Sequence, residues 1–314
     1  MQTKNSIKIG IVQDGPVHLN LPQSLEKASD LISQAAAQQA DLVVFGETWL
    51  SGYPAWLDHC PHVARWDYEP AKQVFARMYE SGIEVPGPVT ELLAKQARQH
   101  QLYIGIGVNE IVRSGVGNGT IYNSFLLFGA NGELLLHHRK LMPTYTEKMI
   151  YGLGDSRGLR TVQTPFGRIG GLICWEHWMP LTRQTLHNCG ETIHLALWPN
   201  VHEMLQIASR AYAFEGRTFV VAVGQLMQAS QFPPELQLPD YLQPDSPVLK
   251  GGSSIIAPNG HYLLDPQYND KTLIVHEIED LSMVAREKMS LDTSGHYNRP
   301  DVFDFKVKNP PTEG

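Results

Sequence analysis

The sequence predicts an α/β fold in which helices cover β-sheets, and the hydrophobic pattern along the chain supports this. Short apolar runs rich in β-branched residues alternate with longer segments that have apolar residues at three- and four-residue spacing. No linker, composition break or internal repeat interrupts this alternation. Although a chain of 314 residues often forms two domains, we therefore predict a single domain over 1–314, with a core at about 7–277 and a C-terminal helix and tail at 278–314.

Hydrophobic periodicity and turn signals define the predicted elements. Asn20 and Pro22 are typical of a helix start, and the almost wholly apolar run at 41–45 predicts a strand in the middle of a sheet. Asn131–Gly132 predicts a tight hairpin turn. The predicted strands are 7–12, 41–45, 102–108, 121–128, 134–138, a pair around 165–167 that continues to 173, 194–198, 218–223, 252–257, 261–264 and 272–277. The predicted helices are 20–35, 87–100, 203–215 and 279–289, and one that begins at Pro180.

The stretch that ends at Cys174 predicts a reactive cysteine. The apolar run from Ile169 to Ile173 is typical of a buried strand, and Pro180 favours the first turn of a helix soon after it. Cys174 is therefore predicted at a strand-to-helix junction, where substrate can reach a thiol and backbone dipoles favour the thiolate. The alternative is a buried structural cysteine, which is the commoner situation for an unpaired thiol.

A carboxylate and an ammonium follow two other predicted strands. Glu47 comes directly after the run at 41–45, and Lys140 comes after the strand at 134–138. A lone glutamate or lysine is usually a surface residue, but strand ends at one edge of an α/β sheet system are where sites are built. With Cys174 as nucleophile, Glu47 can act as the base for the thiol proton, and Lys140 can stabilise negative charge next to the attacked carbon.

Composition and charge exclude several classes of function. Hydrophobic residues make up 42% of the chain and charged residues 18%, as in ordinary water-soluble domains. The net charge of −7, with no basic run, argues against a nucleic-acid partner. No apolar run is long enough for a signal peptide or a membrane span. Cys60, Cys174 and Cys189 have no regular spacing, so we expect free thiols and a cytoplasmic location.

Three motifs resemble those of the nitrilase superfamily of carbon–nitrogen hydrolases, in order and at matching spacing. They are Gly46–Glu47–Thr48–Trp49, His138–Arg139–Lys140–Leu141–Met142–Pro143–Thr144–Tyr145–Thr146–Glu147–Lys148 and Cys174–Trp175–Glu176–His177. The similarity covers nearly the whole chain, from about residue 7 to residue 302. The Cys-Trp-Glu sequence resembles that of the true nitrilases, since the amidase and carbamoylase branches usually carry other residues there.

The resemblance implies a set of roles, a reaction and an architecture. It implies Cys174 as nucleophile, Glu47 as base, Lys140 as stabiliser of the intermediate and Glu147 as a supporting second glutamate. The implied reaction converts an organic nitrile into a carboxylic acid and ammonia without a metal or organic cofactor. The implied fold is a four-layer αββα sandwich that pairs across a helical face into a homodimer or larger homo-oligomer, with residues 278–314 at the subunit interface.

Several assignments near the substrate are less specific. We predict Tyr53, Trp175 and Trp198 as walls of the substrate pocket, although each is equally consistent with an aromatic core residue. The segments 53–82 and 225–250 are expected to line the pocket entrance. The second segment contains five prolines, which argue against regular secondary structure there.

Two other functions and a metal site are the alternatives. The same residues are consistent with an aliphatic amidase, and a catalytically silent member of the superfamily could bind a small ligand in the same cleft. His59–Cys60–Pro61–His62 contains metal-ligand residue types, but no second cluster at ligand spacing accompanies it, so we expect no metal. The sequence does not distinguish aliphatic, arylaliphatic and aromatic nitriles.

Overall fold

Two β-sheets form the centre of the structure, a computed structural model that describes residues 4–308. Residues 1–3 and 309–314, which include the end of the predicted tail, lie outside the described residues. The strands are β1 (Ile7–Gln13), β2 (Leu42–Phe45), β3 (Tyr103–Ile111), β4 (Ile121–Phe128), β5 (Leu134–Arg139), β6 (Val162–Thr164), β7 (Gly167–Ile173), β8 (Ile193–Leu197), β9 (Phe219–Val223), β10 (Leu226–Gln228), β11 (Pro247–Ile256), β12 (Tyr262–Tyr268) and β13 (Thr272–Ile278). The helices are α1 (Leu21–Ala37), α2 (Trp56–His59), α3 (Glu69–Ser81), α4 (Pro88–His100), α5 (Pro180–Asn188), α6 (Glu203–Gly216) and α7 (Met283–Glu287), with short 3-10 helices at Tyr145–Met149, Ser156–Gly158, Cys174–Trp178 and Ala229–Gln231.

The strand order places several carboxyl ends at common edges. The first sheet has the order β13-β1-β2-β3-β4-β5, and the second has the order β10-β11-β9-β8-β7-β6 with β12 paired to β11. In the first sheet β1, β2 and β3 are parallel, and β4 is antiparallel to both β3 and β5. In the second sheet β7, β8 and β9 are parallel. The carboxyl ends of β2 and β5 therefore lie at one edge of the first sheet, and that of β7 lies at one edge of the second.

The two sheets pack face to face through one hydrophobic cluster. Ile11 and Phe125 of the first sheet belong to the same buried cluster as Leu172 and Leu195 of the second. Helices α1 and α4 cover the outer face of the first sheet, and α5 and α6 cover that of the second. Each large apolar side chain buried in these layers contributes roughly 1.5–3 kcal/mol relative to an exposed one. The layers are α, β, β and α, as the resemblance implied.

The helices of the first half begin and end where local chemistry predicts. Asn20 caps α1, since its side chain accepts a hydrogen bond from the Gln23 N–H at 3.2 Å, and a proline lies in the first turn. Helix α4 begins at Pro88 and ends at His100. The next residue, Gln101, has a φ of +52°, the left-handed conformation that ends many helices.

The predicted secondary structure was wrong or incomplete in two segments, 279–289 and 53–82. The predicted helix at 279–289 contains only the five residues of α7, and none of these residues is buried. Segment 53–82 contains α2 and α3, which the sequence analysis did not predict. Helix α3 has just three buried residues, including Val74 and Met78, so its apolar face is narrow and its hydrophobic signal is weak.

Segment 225–250 is more ordered than its prolines suggested. Its start forms the short strand β10, which pairs with the beginning of β11. Pro247 is the first residue of β11, a position where a strand tolerates proline because no ladder hydrogen bond is lost. Met227 and Phe232 are buried in a hydrophobic cluster that also contains residues of α2 and α3. The two irregular segments therefore pack on each other.

Two expectations from composition can be compared with the structure. Cys60, Cys174 and Cys189 are all free thiols, as their spacing indicated. Within residues 4–308 no helix has both the length and the apolar character needed to cross a bilayer.

Candidate active site

The three candidate catalytic residues lie at the ends of strands from both sheets. Glu47 follows β2 and Lys140 follows β5, so both come from one edge of the first sheet. Cys174 follows β7 of the second sheet. A carboxylate oxygen of Glu47, a carboxylate oxygen of Glu147 and Cys174 Sγ all lie within 4.8 Å of one another. The site is therefore built between two sheets, whereas the sequence analysis treated these strand ends as one edge.

Cys174 occupies a strained backbone position at the predicted strand-to-helix junction. Its φ is +51°, in the left-handed region that non-glycine residues rarely adopt, and it begins the 3-10 helix Cys174–Trp178. Such a conformation costs of the order of 1–3 kcal/mol and persists only where the surroundings enforce it. Helix α5 starts at Pro180, as predicted. The cysteine is 3% exposed, so its thiol faces the interior of the site.

Glu176 connects the turn at Cys174 to the segment that carries Lys140. One of its carboxylate oxygens accepts a hydrogen bond from the Ile173 N–H at 2.8 Å, and the other accepts one from the Leu141 N–H at 2.8 Å. The His138 ring lies 2.9 Å from the same carboxylate. Although burial alone raises its pKa, the charge and hydrogen bond of His138 lower the pKa of Glu176, which stays ionised. Glu176 therefore fixes Cys174 and Lys140 relative to each other.

Lys140 lies between two carboxylates in a fully buried cluster. Its Nζ donates to Glu47 Oε1 at 2.8 Å and to Glu147 Oε2 at 2.7 Å. Burial by itself disfavours an ammonium, but the charges of Glu47 and Glu147 outweigh it and raise the pKa of Lys140 well above its usual value. Lys140 is therefore a fixed positive charge in a site shielded from water.

Glu47 has one bonded oxygen and one free oxygen. Oε1 accepts hydrogen bonds from Lys140 Nζ and from Asn123 Nδ2, the latter at 2.6 Å. Oε2 is buried and has no hydrogen-bond partner among the described residues. Burial raises the pKa of Glu47 to about 7, although Lys140 opposes the shift. A carboxylate with this pKa and an unoccupied oxygen can take up and return a proton near neutral pH.

The Cys174 thiol is neutral at rest. Burial and the negative charge of Glu47 raise its pKa well above the ordinary value, more than Lys140 lowers it. The expectation that backbone dipoles favour a thiolate here was therefore wrong, because loss of solvation in the closed site outweighs them. A neutral thiol needs a base at the moment of attack, and the nearby carboxylate of Glu47 can supply one.

Glu147 is held by backbone and side-chain donors around Lys140. It lies in the 3-10 helix Tyr145–Met149, and its Oε2 accepts a hydrogen bond from the Thr144 N–H at 2.9 Å. Tyr53 Oη donates to Glu147 Oε1 at 2.9 Å. This arrangement places the predicted pocket residue Tyr53 beside the catalytic cluster.

The two predicted tryptophans occupy different environments. Trp198 is fully buried, its ring stacks on His177 with a centroid distance of 4.6 Å, and its carbonyl accepts the Glu47 N–H at 3.3 Å. Trp175 is 52% exposed, so much of its ring is turned to solvent. Whether either residue touches substrate stays a prediction.

The acidic cluster has the donor atoms for a metal ion but already contains a cation. Among the described residues, only Glu47, Glu147 and Cys174 bring three potential ligand atoms together. Lys140 Nζ hydrogen-bonds to both carboxylates, so an ammonium supplies the positive charge that their burial requires. The stretch 59–62 contributes to no such group, and His59 instead hydrogen-bonds to Tyr241 Oη at 3.1 Å.

Two residues at this site were missed by sequence reasoning. Asn123 lies on β4 opposite Lys140, whose N–H donates to the Asn123 carbonyl at 2.8 Å. A buried asparagine in an otherwise apolar strand was the available signal. Glu176 was quoted as part of a motif but given no role. Asn123 contacts Glu47 and Glu176 contacts Leu141 and His138 across long distances in sequence, which local periodicity does not reveal.

Comparison with known proteins identifies the family. The model of the carbon–nitrogen hydrolase family matches residues 8–286. A bifunctional nitrilase/nitrile hydratase from Lupinus angustifolius is 36% identical over 98% of this chain and 87% of its own length. An aliphatic nitrilase from Sinorhizobium fredii is 36% identical over 97% of this chain and 96% of its own.

Solved structures with low sequence identity share the fold. Nit3 of Saccharomyces cerevisiae, a member of branch 10 of the nitrilase superfamily, has a TM-score of 0.71 at 17% identity and covers 95% of this chain and 100% of its own. The hydrolase XC1258 from Xanthomonas campestris, whose active site holds an arsenic adduct, has a TM-score of 0.69 at 17% identity and covers 97% and 100%. The predicted fold class is confirmed, and the chain belongs to the carbon–nitrogen hydrolase family.

Proposed function

We propose that this protein is a nitrilase that hydrolyses organic nitriles to carboxylic acids and ammonia. One observation carries the proposal: a buried neutral thiol lies within 4.8 Å of a carboxylate that is bonded to a buried ammonium and has one oxygen without a hydrogen-bond partner among residues 4–308. The curated relatives named as nitrilases, at 36% and 37% identity, support the nitrile as substrate. The roles assigned below to Cys174, Glu47, Lys140 and Glu147 are part of this proposal.

The first step forms a thioimidate at Cys174. Sγ attacks the nitrile carbon, the thiol proton passes to Glu47, and one π bond of the C≡N group becomes a lone pair on nitrogen. Lys140 stabilises this developing charge, and the proton held by Glu47 then passes to the nitrogen, which returns Glu47 to its carboxylate form. A fixed donor of this kind typically contributes about 3–4 kcal/mol to the stability of the transition state.

Two water molecules complete the reaction. Glu47 removes a proton from the first water as it adds to the thioimidate carbon and passes that proton to the nitrogen. The hydroxyl proton of the tetrahedral adduct follows as the C–N bond breaks, so that ammonia leaves and an acyl-enzyme thioester remains. The second water attacks the thioester with Glu47 again as base, which releases the carboxylic acid and restores the thiol. Two waters and one nitrile thus give one acid and one ammonia, and side chains alone supply the nucleophile, base and cation.

Glu147 and Tyr53 support the cluster in this scheme. Glu147 neutralises part of the charge of Lys140 and fixes the direction of its Nζ, and Tyr53 also donates to Glu147. We also propose that Trp198 and Trp175 lie along the substrate path, with segments 53–82 and 225–250 around its entrance.

The direct test combines a variant with mass spectrometry. Cys174→Ala should abolish ammonia release from nitriles, and enzyme quenched during turnover should carry an acyl or imidoyl mass increase that the variant lacks. The matched control is Cys189→Ala, which removes another thiol and should keep normal turnover. Ammonia release by Cys174→Ala at the wild-type rate would contradict the proposal.

A second reaction at the same site follows from partition of the intermediate. After the first water adds, expulsion of ammonia leads to acid, whereas expulsion of the Cys174 thiol releases the amide. The relative from Lupinus angustifolius is named a bifunctional nitrilase/nitrile hydratase. Acid and amide should therefore both be quantified when a nitrile and its matching amide are supplied separately. An amidase would leave the nitrile untouched, and a non-catalytic binder would never gain a covalent adduct.

We further propose that the protein acts in the cytoplasm as a homodimer or larger homo-oligomer. Free thiols are compatible with a reducing compartment. Helices α5 and α6 carry several exposed apolar residues, which suit a subunit interface. These residues are Leu181, Met204, Ile207 and Phe214. Light scattering coupled to size-exclusion chromatography would measure the assembly directly, and a monomeric mass would contradict this part of the proposal.

A further inference from the structure

A continuous series of buried polar side chains lies behind Cys174, between the second sheet and helices α5 and α6. His177 Nδ1 lies 2.6 Å from the Cys174 carbonyl oxygen, and His177 Nε2 lies 2.9 Å from His194 Nε2. His194 Nδ1 lies 2.9 Å from Glu191 Oε1, and Tyr212 Oη donates to Glu191 Oε2 at 2.5 Å. All of these side chains are at least 97% buried. The catalytic scheme uses none of them.

The partners in this series determine where each proton lies. A carbonyl oxygen only accepts, so His177 Nδ1 must carry a proton. With a neutral His177, Nε2 is then an acceptor and His194 Nε2–H must donate to it. A neutral His194 then presents an unprotonated Nδ1 to Glu191, so the Glu191 carboxyl must carry the proton on Oε1. If the proton instead sits on His194 as an imidazolium beside a Glu191 carboxylate, the count is the same: the pair holds one shared proton.

The electrostatics of the series agree with this order. Burial raises the pKa of Glu191 to about 7 and lowers the pKa of His194 well below its usual value. Burial and the neighbouring His194 lower the pKa of His177 to about 3, so it remains neutral at physiological pH. Below neutral pH the proton therefore resides on Glu191.

We propose that Glu191, His194 and His177 are positioning residues that hold the Cys174 backbone in its left-handed conformation through one shared proton. This inference rests on the proposed role of Cys174 as nucleophile. The His177 bond to the Cys174 carbonyl stabilises a backbone with φ +51°, which otherwise lies in an unfavourable region.

Removal of the shared proton reverses the direction of the hydrogen bonds along the series. An ionised Glu191 accepts from His194 Nδ1–H, so His194 Nε2 becomes an acceptor and His177 Nε2–H donates to it. His177 Nδ1 then faces the Cys174 carbonyl without a proton, and two lone pairs meet at 2.6 Å. The bond that holds the nucleophile is lost, so we expect turnover to fall as the pH rises through the range where Glu191 ionises.

The groups packed around Glu191 do not change charge in that range. Burial raises the pKa of Tyr212 and of Cys189 above their ordinary values, and it lowers the pKa of His187 to about 4. Charged groups in the next layer act on these neighbours. They are Glu176 beside His194, Arg183 beside His177 and His187, and Glu215 beside Tyr212.

The first test observes the proton order directly in the unmodified protein. In protein labelled with ¹⁵N-histidine, the ring-nitrogen shifts of His177, assigned with His177→Gln, should show the Nδ1–H tautomer at pH 6. Between pH 6 and pH 8.5 the signals should change to the Nε2–H tautomer. An Nε2–H tautomer at pH 6, or no change over this range, would overturn the proposal. Because no substrate is present, this result is independent of whether the protein hydrolyses nitriles.

The second test separates positioning from a merely structural role. Glu191→Gln cannot ionise, yet its side-chain amide can donate to His194 Nδ1 and accept from Tyr212. It should remove the alkaline fall in kcat, so that the ratio of kcat at pH 8.5 to kcat at pH 6.5 rises about tenfold over wild type. Glu191→Ala should lower kcat about 10- to 100-fold at every pH with little change in KM.

Glu215→Gln is the matched control, since Glu215 lies on α6 near Tyr212 but pairs with Arg183. Its pH profile should equal that of wild type. An alkaline fall that persists in Glu191→Gln, with the fold intact by circular dichroism, would overturn the proposal. If no nitrile is turned over at all, the rate of Cys174 alkylation by iodoacetamide replaces kcat and follows the same predictions.

Discussion

Cys174 has a buried glutamate on each side, and the two differ in how their oxygens are used. Burial raises the pKa of both Glu47 and Glu191 to about 7. Glu47 has one oxygen without a partner among the described residues, whereas both oxygens of Glu191 are hydrogen-bonded, one to His194 and one to Tyr212. The same titration can therefore serve two purposes. Glu47, which has a free oxygen, can exchange a proton with the Cys174 thiol. Glu191, whose two oxygens are both hydrogen-bonded, can transfer a proton only to the side chains bonded to it.

The two sides of Cys174 also differ in charge. We call the side with Lys140 the front and the side with His177 and His194 the rear. The front contains the ammonium of Lys140 between the carboxyl groups of Glu47 and Glu147, and the rear contains histidines that burial keeps neutral. Buried charges are retained only where they are paired. The front therefore suits stabilisation of charge that develops during reaction, and the rear suits the positioning of a backbone.

Lys140→Met should have the largest effect, because it leaves two carboxylates facing each other without their cation. We expect kcat/KM for nitriles to fall at least about 10³-fold and the free energy of unfolding to fall by about 3–5 kcal/mol. Ammonia release and urea denaturation measure the two. The exposed Lys148→Met is the control and should match wild type. Activity within tenfold of wild type in Lys140→Met would show that the front side does not depend on this charge.

Glu47→Gln should come next, because it removes the base while keeping shape. In wild type the rise of turnover on the acidic side of the pH–rate profile should follow ionisation of Glu47, which must be a carboxylate to accept the thiol proton and whose pKa is raised to about 7, whereas the fall on the alkaline side follows ionisation of Glu191. The variant should lose this rise and turn over about 10²–10⁴-fold more slowly. A pH–rate profile that keeps its acidic limb would assign that limb to another group.

Asn123→Ala should have a smaller effect that sharpens the comparison. Asn123 donates to Glu47 Oε1 and so favours its ionised form. Without this bond the acidic limb of the pH–rate profile should move to higher pH, and turnover at pH 7 should fall roughly 3- to 10-fold. Asn118→Ala, at an exposed turn, is the control. An unshifted limb in the Asn123 variant would mean that this hydrogen bond does not tune Glu47.

Gly170→Ala and Gly171→Ala should distinguish the two faces of β7. One face contacts the Glu191–His194–His177 series, and the other packs against the first sheet. A Cβ on Gly170 would lie 2.1 Å from Glu191 Oε1, and one on Gly171 would lie 2.7 Å from a ring carbon of Phe125. Each should lower the free energy of unfolding by about 1–3 kcal/mol, as measured in urea. Only Gly170→Ala should change the alkaline limb of the pH–rate profile. Equal changes in both variants would argue that the two faces of β7 are not independent.

The sequence was sufficient to predict those features whose defining residues lie close together in the chain. Glu47, Lys140 and Cys174 each follow an apolar strand, so a short window of sequence contains both the strand and the polar residue that ends it. The helices α1 and α4 were predicted for the same reason, since their starts carry capping signals within a few residues.

Long-range partners were not predictable in this way. Asn123 and Glu47 are hydrogen-bonded although they lie 76 positions apart in the sequence. His177 and His194 are in contact although helix α5 separates the 3-10 helix that contains His177 from strand β8, which contains His194. A single buried histidine or asparagine has no periodic signature, because its partner is set by sheet order and not by spacing. Helix α3 and strand β10 were missed because each is short in buried apolar residues, which leaves little hydrophobic pattern in the sequence.

The position of Glu47 and Cys174 on separate sheets has a mechanical consequence. The Glu47 N–H donates to the Trp198 carbonyl, and Gln225 Nε2 donates to the Glu47 carbonyl, so Glu47 is hydrogen-bonded to the sheet that carries Cys174. A Cβ on Gly46 would lie 2.7 Å from Gln225 Cγ. The distance between Glu47 and Cys174 therefore depends on how closely the two sheets pack. Hydrostatic pressure, or a larger side chain between the sheets, should therefore alter turnover before it unfolds the protein.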